Sequence, residues 1–145
     1  MIEPSDLWEI DGSLRDVYIE GVDMSDWHAL FQVANRYQCT YTFDGAPSEL
    51  PDPNSVFQNR SGSHLLTISV GDASINCHFF ISEEIELDID PRQVTNAATH
   101  ELVMRFLAEL STHVGKDLLI TAENSPDVVY RRFSPATSSW VNYGP

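Results

Sequence analysis

The 145-residue chain carries 22 Asp and Glu residues against 8 Lys and Arg, which gives a formal net charge of −14 at pH 7. Because such a negative field repels phosphate groups, we expect neither nucleic acid nor an anionic membrane surface as a partner. The length and the 42% hydrophobic residues fit one compact domain with one core. We therefore expect a single domain over residues 1–145.

The N-terminal residues lack the basic segment and apolar stretch of a secretory signal, and no apolar run approaches the ~18 residues of a membrane span. The two cysteines, Cys39 and Cys77, form no CxxC pair and no Cys/His cluster. We expect both to be reduced and the protein to be cytoplasmic.

The first third of the chain predicts an arm, a strand and a helix. Residues 1–13 are expected to form an extended N-terminal arm that Trp8 anchors to the core. Residues 14–20 are rich in strand-forming side chains and end at a glycine, which predicts the first strand. Over residues 25–37, apolar side chains recur at i, i+3, i+4 and i+7, which predicts an amphipathic helix: Trp27, Leu30, Phe31 and Ala34.

Residues 39–43 alternate and stop at an Asp-Gly pair, which predicts a second strand. The following segment, 46–63, holds three prolines and cannot continue as regular structure, so we expect a long Pro-rich loop with a short helical turn at 54–59. Loops of this length are often either functional or mobile.

Residues 64–90 predict three consecutive strands with tight turns, and we expect the rest of the fold to pack on this meander. Every second side chain is apolar, as in a strand with one buried face: Leu66, Ile68, Val70, Ala73, Ile75, Cys77, Phe79, Ile81, Ile85, Leu87 and Ile89. The residues between them form a polar, strongly acidic face that we expect to be open to water: Ser74, Asn76, His78, Phe80, Glu84, Glu86, Asp88 and Asp90.

After the meander, residues 95–114 keep helical spacing, and Gly115 stands where a left-handed C-terminal cap belongs. Residues 118–122 and 128–133 predict two further strands, whereas the tail, 134–145, has little periodicity. This order predicts an α+β fold: a single, mostly antiparallel sheet with a central three-strand meander and two amphipathic helices packed on one face.

The acidic ladder of the third meander strand permits several interpretations. Metal coordination is disfavoured because residues i and i+2 of a strand lie roughly 6.6 Å apart and do not converge on one ion. An acid/base pair would require a cleft and a perturbed pKa. A solvated face that discourages edge aggregation and a surface that receives Lys or Arg from a partner both remain open.

The chain shows no catalytic signature. His100-Glu101 begins like a zinc-protease helix, but Met104 occupies the position of the second histidine. We find no GxSxG, GxGxxG or GxxxxGK[ST] sequence. We therefore predict no catalytic residue, no metal and no cofactor. The alternative is a hydrolase or metal-dependent enzyme with a carboxylate/His site near the 46–63 loop, and a further alternative is a module that self-associates through a sheet edge.

Three segments resemble small bacterial α+β immunity proteins of toxin–immunity systems: WEIDGSLRDVYI (8–19), INCHFFISEEIELDIDPR (75–92) and GKDLLITAENSP (115–126). This resemblance implies a non-enzymatic, cytoplasmic inhibitor that binds a cognate toxin, and it assigns no binding residue. Together with the acidic face, it leads us to expect a basic toxin domain as partner. The residues expected at the contact are Glu84, Glu86, Asp88, Asp90, His78 and Phe80, with Asp72 at the rim.

Overall fold

A computed structural model describes residues 6–143. The described strands are β1 (Arg15–Glu20), β2 (Gln38–Phe43), β3 (Ala46–Ser48), β4 (His64–Val70), β5 (Ala73–His78), β6 (Glu84–Ile89), β7 (Leu118–Ala122), β8 (Ser125–Ser134) and β9 (Ser139–Asn142). The helices are α1 (Met24–Ala34), α2 (Pro53–Gln58) and α3 (Ala97–Val114), with short 3-10 helices at Asp6–Trp8 and Pro91–Gln93. None of these helices is long and apolar enough to cross a membrane.

All the strands belong to one antiparallel sheet in the order β3-β2-β4-β5-β6-β1-β7-β8-β9. The predicted meander is confirmed as β4, β5 and β6, which are neighbours in space as in sequence. Strand β1 enters between β6 and β7, so the first strand of the chain lies at the centre of the sheet. The α+β class with a single antiparallel sheet is thereby confirmed.

The described helices contribute to a core on one face of the sheet. From α1 come Trp27 and Leu30, and from α3 come Phe106 and Leu107, all almost fully buried against the sheet residues of that face. Trp27 stacks on Phe79 with ring centroids 5.3 Å apart. Burying one side chain of this size contributes about 1.5–3 kcal/mol to the stability of the fold. The buried apolar side chains form one cluster, which includes residues of the helices and of the sheet.

Local signals set the ends of the two long helices. Asp23 forms a capping box with Asp26 at the start of α1, and Asn96 accepts from the Thr99 N–H at 2.8 Å to cap α3. Gly115 ends α3 with φ of 80°, which confirms the predicted left-handed cap. Helix α1 ends at Ala34, three residues before the predicted end at 37.

A buried arginine ties the N-terminal arm to the sheet. The Arg15 side chain donates to the carbonyls of Leu7 (2.6 Å) and Glu9 (3.0 Å) and to the Ser13 hydroxyl (2.9 Å). Trp8 is 4% exposed and donates from Nε1 to His100 Nδ1 at 2.8 Å. Trp8 is therefore an anchor as predicted; residues 1–5 of the predicted arm lie outside the described residues.

Several predicted boundaries and one side-chain orientation are wrong. Strand β5 ends at His78, so Ile81 falls in the following connection and is 47% exposed instead of buried. The 46–63 segment contains β3 as well as α2, because the chain after the Asp-Gly turn pairs back onto β2. The tail predicted as irregular contains β9; residues 144–145 lie outside the described part.

Candidate functional site on the acidic face

The pairing of β1 with β6 places carboxylates directly opposite one another. Asp16 faces Asp88 and Glu20 faces Glu84 across the two strands, with Glu86 opposite a tyrosine between them. These side chains point away from the helices because the alternate residues of both strands lie in the core. We call this set the acidic face: Asp16, Glu20, Glu84, Glu86 and Asp88.

Few basic side chains lie near this part of the sheet: His78 pairs with Asp88, and Lys116 and Arg132 line a cleft with Glu20. Strands β5 and β6 contain no Lys or Arg, and the one arginine of β1, Arg15, lies on the opposite, core-facing side. Like charges that face each other directly in a sheet destabilise it by a fraction of a kcal/mol to about 1 kcal/mol. The fold therefore retains two unfavourable acid–acid pairs at the centre of its sheet.

Two glutamates of the acidic face are half-buried and make no hydrogen bond or salt bridge within residues 6–143. Burial raises the pKa of Glu84, and the nearby Glu20 raises it further. Burial likewise raises the pKa of Glu86, with added repulsion from Asp16 and Glu84. An approaching cation would relieve this repulsion, so both carboxylates are suited to accept a basic group.

Asp88 has a different environment from the two glutamates. It is 9% exposed, accepts from Asn76 Nδ2 at 3.0 Å, and pairs with Nε2 of His78. Thr67 extends the network by donating to Asn76 Oδ1 at 3.1 Å. The hydrogen bond to Asp88 raises the pKa of His78. Contrary to our expectation of an outward carboxylate, Asp88 holds this network together.

Asp16 is also buried and hydrogen-bonded. Its Oδ2 accepts from the Asn124 N–H at 2.8 Å and from the Tyr18 hydroxyl at 3.3 Å. Burial raises the pKa of Asp16 despite these bonds, with smaller contributions from Asp88 and Glu123. Burial of the Tyr18 hydroxyl, together with the nearby charge of Asp16, raises the pKa of Tyr18. Asp16 thus adds charge below the surface that Glu86 and its neighbours present.

The exposed Phe80 borders the acidic face, and its neighbour in the chain, Ile81, is also exposed. Phe80 is 60% exposed and stacks nearly flat on His78, with ring centroids 5.0 Å apart and planes 6° from parallel. Ile81 follows it in the connection from β5 to β6. Aromatic side chains beside a charged patch are common anchors of protein interfaces.

The structure does not bring all seven predicted contact residues together. Glu84, Glu86, Asp88, His78 and Phe80 share one surface, as the alternation predicted. Asp90 instead accepts hydrogen bonds from Nε and Nη2 of Arg92, and it caps the 3-10 helix that follows β6.

Asp72 lies in the turn between β4 and β5, where Thr99 donates to it at 3.4 Å. In the antiparallel pair of β5 and β6, this turn and Asp90 are at the end opposite to Phe80 and Glu84. Asp72 and Asp90 therefore belong to a different region of the surface.

The half of the acidic face that β1 supplies was not predicted from the sequence. Asp16, Tyr18 and Glu20 alternate with core residues, so their common side could have been deduced from the predicted first strand. Their position beside β6 could not, because β1 is separated from β6 in the chain by more than sixty residues of helix and sheet. The alternation within β1 predicts which side chains share a face, but it does not predict that β1 pairs with β6.

The 46–63 segment borders a cleft of about 270 Å³ lined by Asn59, Arg60, Gly62, Ser63, His64, Phe79 and Phe80. Both ring nitrogens of His64 are engaged: Nδ1 with the Tyr41 hydroxyl and Nε2 with the Asn59 carbonyl at 2.7 Å. No carboxylate is among the residues that line the cleft as described, so of the carboxylate/His site considered for this segment only the histidine lies there.

Across residues 6–143, no group of three or more His, Cys, Asp or Glu side chains converges as metal ligands would. A scan against protein-family models finds no match for the chain. Searches of curated proteins and of solved structures likewise return no match.

Proposed function

We propose that this chain is a non-enzymatic protein-binding module, an immunity-type inhibitor that acts in the cytoplasm and neutralises a basic toxin domain. The observation that supports it is the pairing of acid with acid across β1 and β6: Asp16 with Asp88 and Glu20 with Glu84. A sheet pays for such pairs in stability, and a basic partner reverses that penalty on binding.

Glu84 and Glu86 would accept the partner's basic side chains. Their unpartnered carboxylates can each form charge-assisted hydrogen bonds with a Lys or Arg, which are about twice as strong as neutral ones. The underlying charges of Asp16 and Asp88 strengthen the local field, while both oxygens of Asp88 and Oδ2 of Asp16 already accept hydrogen bonds within the protein. The net charge of −14 adds long-range attraction that accelerates encounter.

Phe80 and Ile81 would supply the apolar part of the contact, at the border of the acidic face. The flat stack of Phe80 on His78 restricts the ring, so little side-chain entropy remains to be lost when a partner covers it. This arrangement of apolar anchor and charged surround is typical of a protein interface and supports protein over small-molecule binding.

The proposal predicts that a basic toxin domain is encoded beside the gene for this chain, and the test is the rate at which that domain associates with the protein. The variant Glu84→Lys/Glu86→Lys should associate at least about tenfold more slowly than wild type at low salt, and its rate should depend less on salt. The matched control is Glu49→Lys/Glu101→Lys, which makes the same change of net charge at exposed glutamates outside the acidic face.

The control variant should keep most of the wild-type rate, and both variants should retain the wild-type circular dichroism spectrum. Equal slowing of the two variants would show that net charge alone drives encounter. Unchanged kinetics in Glu84→Lys/Glu86→Lys would remove the acidic face from the mechanism. We omit Asp88 from the variant because it is buried and holds the His78 network.

A further inference from the structure

The described sheet has four stretches of unpaired strand edge: β3, residues 38–40 of β2 beyond the pairing with β3, the N-terminal part of β8, and β9. Residues 38–40 are a three-residue step beside β3, whereas β9 is the whole outermost strand on its side of the sheet. Strand β3 is three residues long and has Pro47 at its centre. The N-terminal part of β8 lies beyond its pairing with β9 and carries Pro126 and Asp127. Proline and charge are the usual devices that prevent edge-to-edge pairing. Strand β9 contains neither.

The pairing register shows which backbone groups of β9 face outward. Val141 lies opposite Arg132, and the next pair in register, Tyr143 with Tyr130, is joined by a hydrogen bond from the Tyr143 N–H to the Tyr130 carbonyl at 2.8 Å. Because hydrogen-bonded and non-hydrogen-bonded pairs alternate in an antiparallel ladder, Val141 is also bonded to β8. The N–H and C=O groups of Trp140 and Asn142 therefore point away from the sheet.

These outward groups are self-complementary. If two β9 strands run antiparallel with Val141 of each copy at the two-fold axis, Trp140 of one copy lies opposite Asn142 of the other. Every outward N–H and C=O group of Trp140 and Asn142 then has a partner. Other two-fold registers leave some of these groups unpaired.

We propose that β9 is a homotypic contact, at which two copies of this chain join their sheets edge to edge. Charge favours a second copy here despite the net charge of −14. Residues 134–145 contain no charged side chain, and the residue opposite Val141 on β8 is Arg132. Strand β9 is thus the uncharged margin of a strongly acidic molecule.

The acidic faces of two paired copies lie too far apart to repel strongly. Strand β1 is three steps from β9 in each copy, and one further step separates the copies. At ~4.8 Å a step this places the two β1 strands about 34 Å apart, well beyond the Debye length of about 8 Å at physiological salt.

A two-fold axis normal to the sheet leaves both acidic faces on the same side of the joined sheet and uncovered. The contact does not rest on the proposed function, although it would make an inhibitor bivalent. Because a four-residue strand gives a contact well below the ~1,200 Å² of stable interfaces, the dimer should be weak, with a dissociation constant in the micromolar range or above.

Sedimentation across a concentration series, from about 5 to about 500 µM, tests the contact. The weight-average mass of the wild type should rise from 16.3 kDa toward twice that value. Val141→Lys places two like charges opposite each other at the axis and should remain monomeric. The matched control is Val128→Lys, because Val128 is 49% exposed and Val141 46% exposed; it should dimerise like the wild type.

Asn142→Pro is a second, independent variant. It removes an outward N–H that the dimer uses and that the monomer does not, so it should weaken dimerisation about tenfold or more while the monomer remains folded. A wild type that stays monomeric throughout the series overturns the proposal. So does a Val141→Lys variant that dimerises normally. A monomeric wild type whose binding to the toxin domain is lost in Val141→Lys would assign the edge to a partner's strand instead.

Discussion

Two carboxylates that the sequence pattern treats alike, Glu84 at the start of β6 and Asp90 just beyond its end, differ in state because their neighbours differ. The hydrogen bonds from Arg92 lower the pKa of Asp90, whereas burial and the nearby Glu20 raise that of Glu84. The sequence places both residues on one alternating ladder and cannot distinguish them. Their partners come from other segments of the chain or from a local turn whose geometry the alternation does not encode.

His78 and His100 should titrate on opposite sides of the ordinary histidine pKa of 6.5. The hydrogen bond to Asp88 raises the pKa of His78, while burial and the charge of Arg131 lower that of His100. Because its folded pKa is raised, His78 stabilises the fold below pH 6.5, and this contribution is lost as pH rises through the folded value. Titration of the histidine proton resonances by NMR measures both midpoints.

The variant Asp88→Asn keeps the shape of the side chain and removes its charge. It should lower the midpoint of His78 and leave that of His100 in place, since Asp88 does not contribute to the pKa shift of His100. A His78 midpoint at or below that of His100 in the wild type would contradict the assigned Asp88–His78 pair.

Elements whose signals are local were predicted well. Helix α3 has a continuous apolar stripe, a capping asparagine and a terminal glycine, and it occupies nearly the predicted residues. Strands β3 and β9 were missed because they are short and acquire their structure only by pairing with β2 and β8. Helix α1 stops early because the chain must turn after Ala34 to enter β2, which depends on the sheet order.

The N-terminal arm depends on one buried guanidinium. Replacing Arg15 with Met should lower the free energy of unfolding by about 2–4 kcal/mol, because the buried carbonyl of Leu7 loses its donor and the carbonyl of Glu9 loses a further hydrogen bond. Urea denaturation measures the change. The control Arg36→Met removes an exposed partner of Glu109 and should cost less than about 1 kcal/mol. Equal losses in the two variants would show that the arm is not held as described.

At the scale of the whole molecule, the fold separates apolar contact from charge. One face of the sheet holds the helices and the core, the centre of the other holds the acidic face, and the β9 margin is uncharged. The alternation of apolar and acidic residues in β6 predicted the β6 half of the acidic face. The β1 half was not predicted, because it depends on a long-range pairing, and neither was the burial of Asp88, which depends on side chains from β5.

The acid–acid pairs should weaken the isolated protein, and we propose that they are retained for a basic partner. The free energy of unfolding of Glu84→Gln tests this weakening without the partner, because the substitution removes the charge facing Glu20 and keeps the size of the side chain. The matched control is Glu109→Gln. The Glu109 carboxylate accepts hydrogen bonds from Arg36 at 2.6 Å and from the Tyr37 hydroxyl at 2.7 Å, so its charge is stabilised where that of Glu84 is not.

At pH 7 and low salt, Glu84→Gln should be more stable than wild type by about 0.2–1 kcal/mol, and Glu109→Gln less stable by about 1 kcal/mol. The gain should shrink in high salt. It should also shrink as pH falls through the raised pKa of Glu84, because protonation removes the same charge. A Glu84→Gln variant that is less stable than wild type, like the control, would contradict the account.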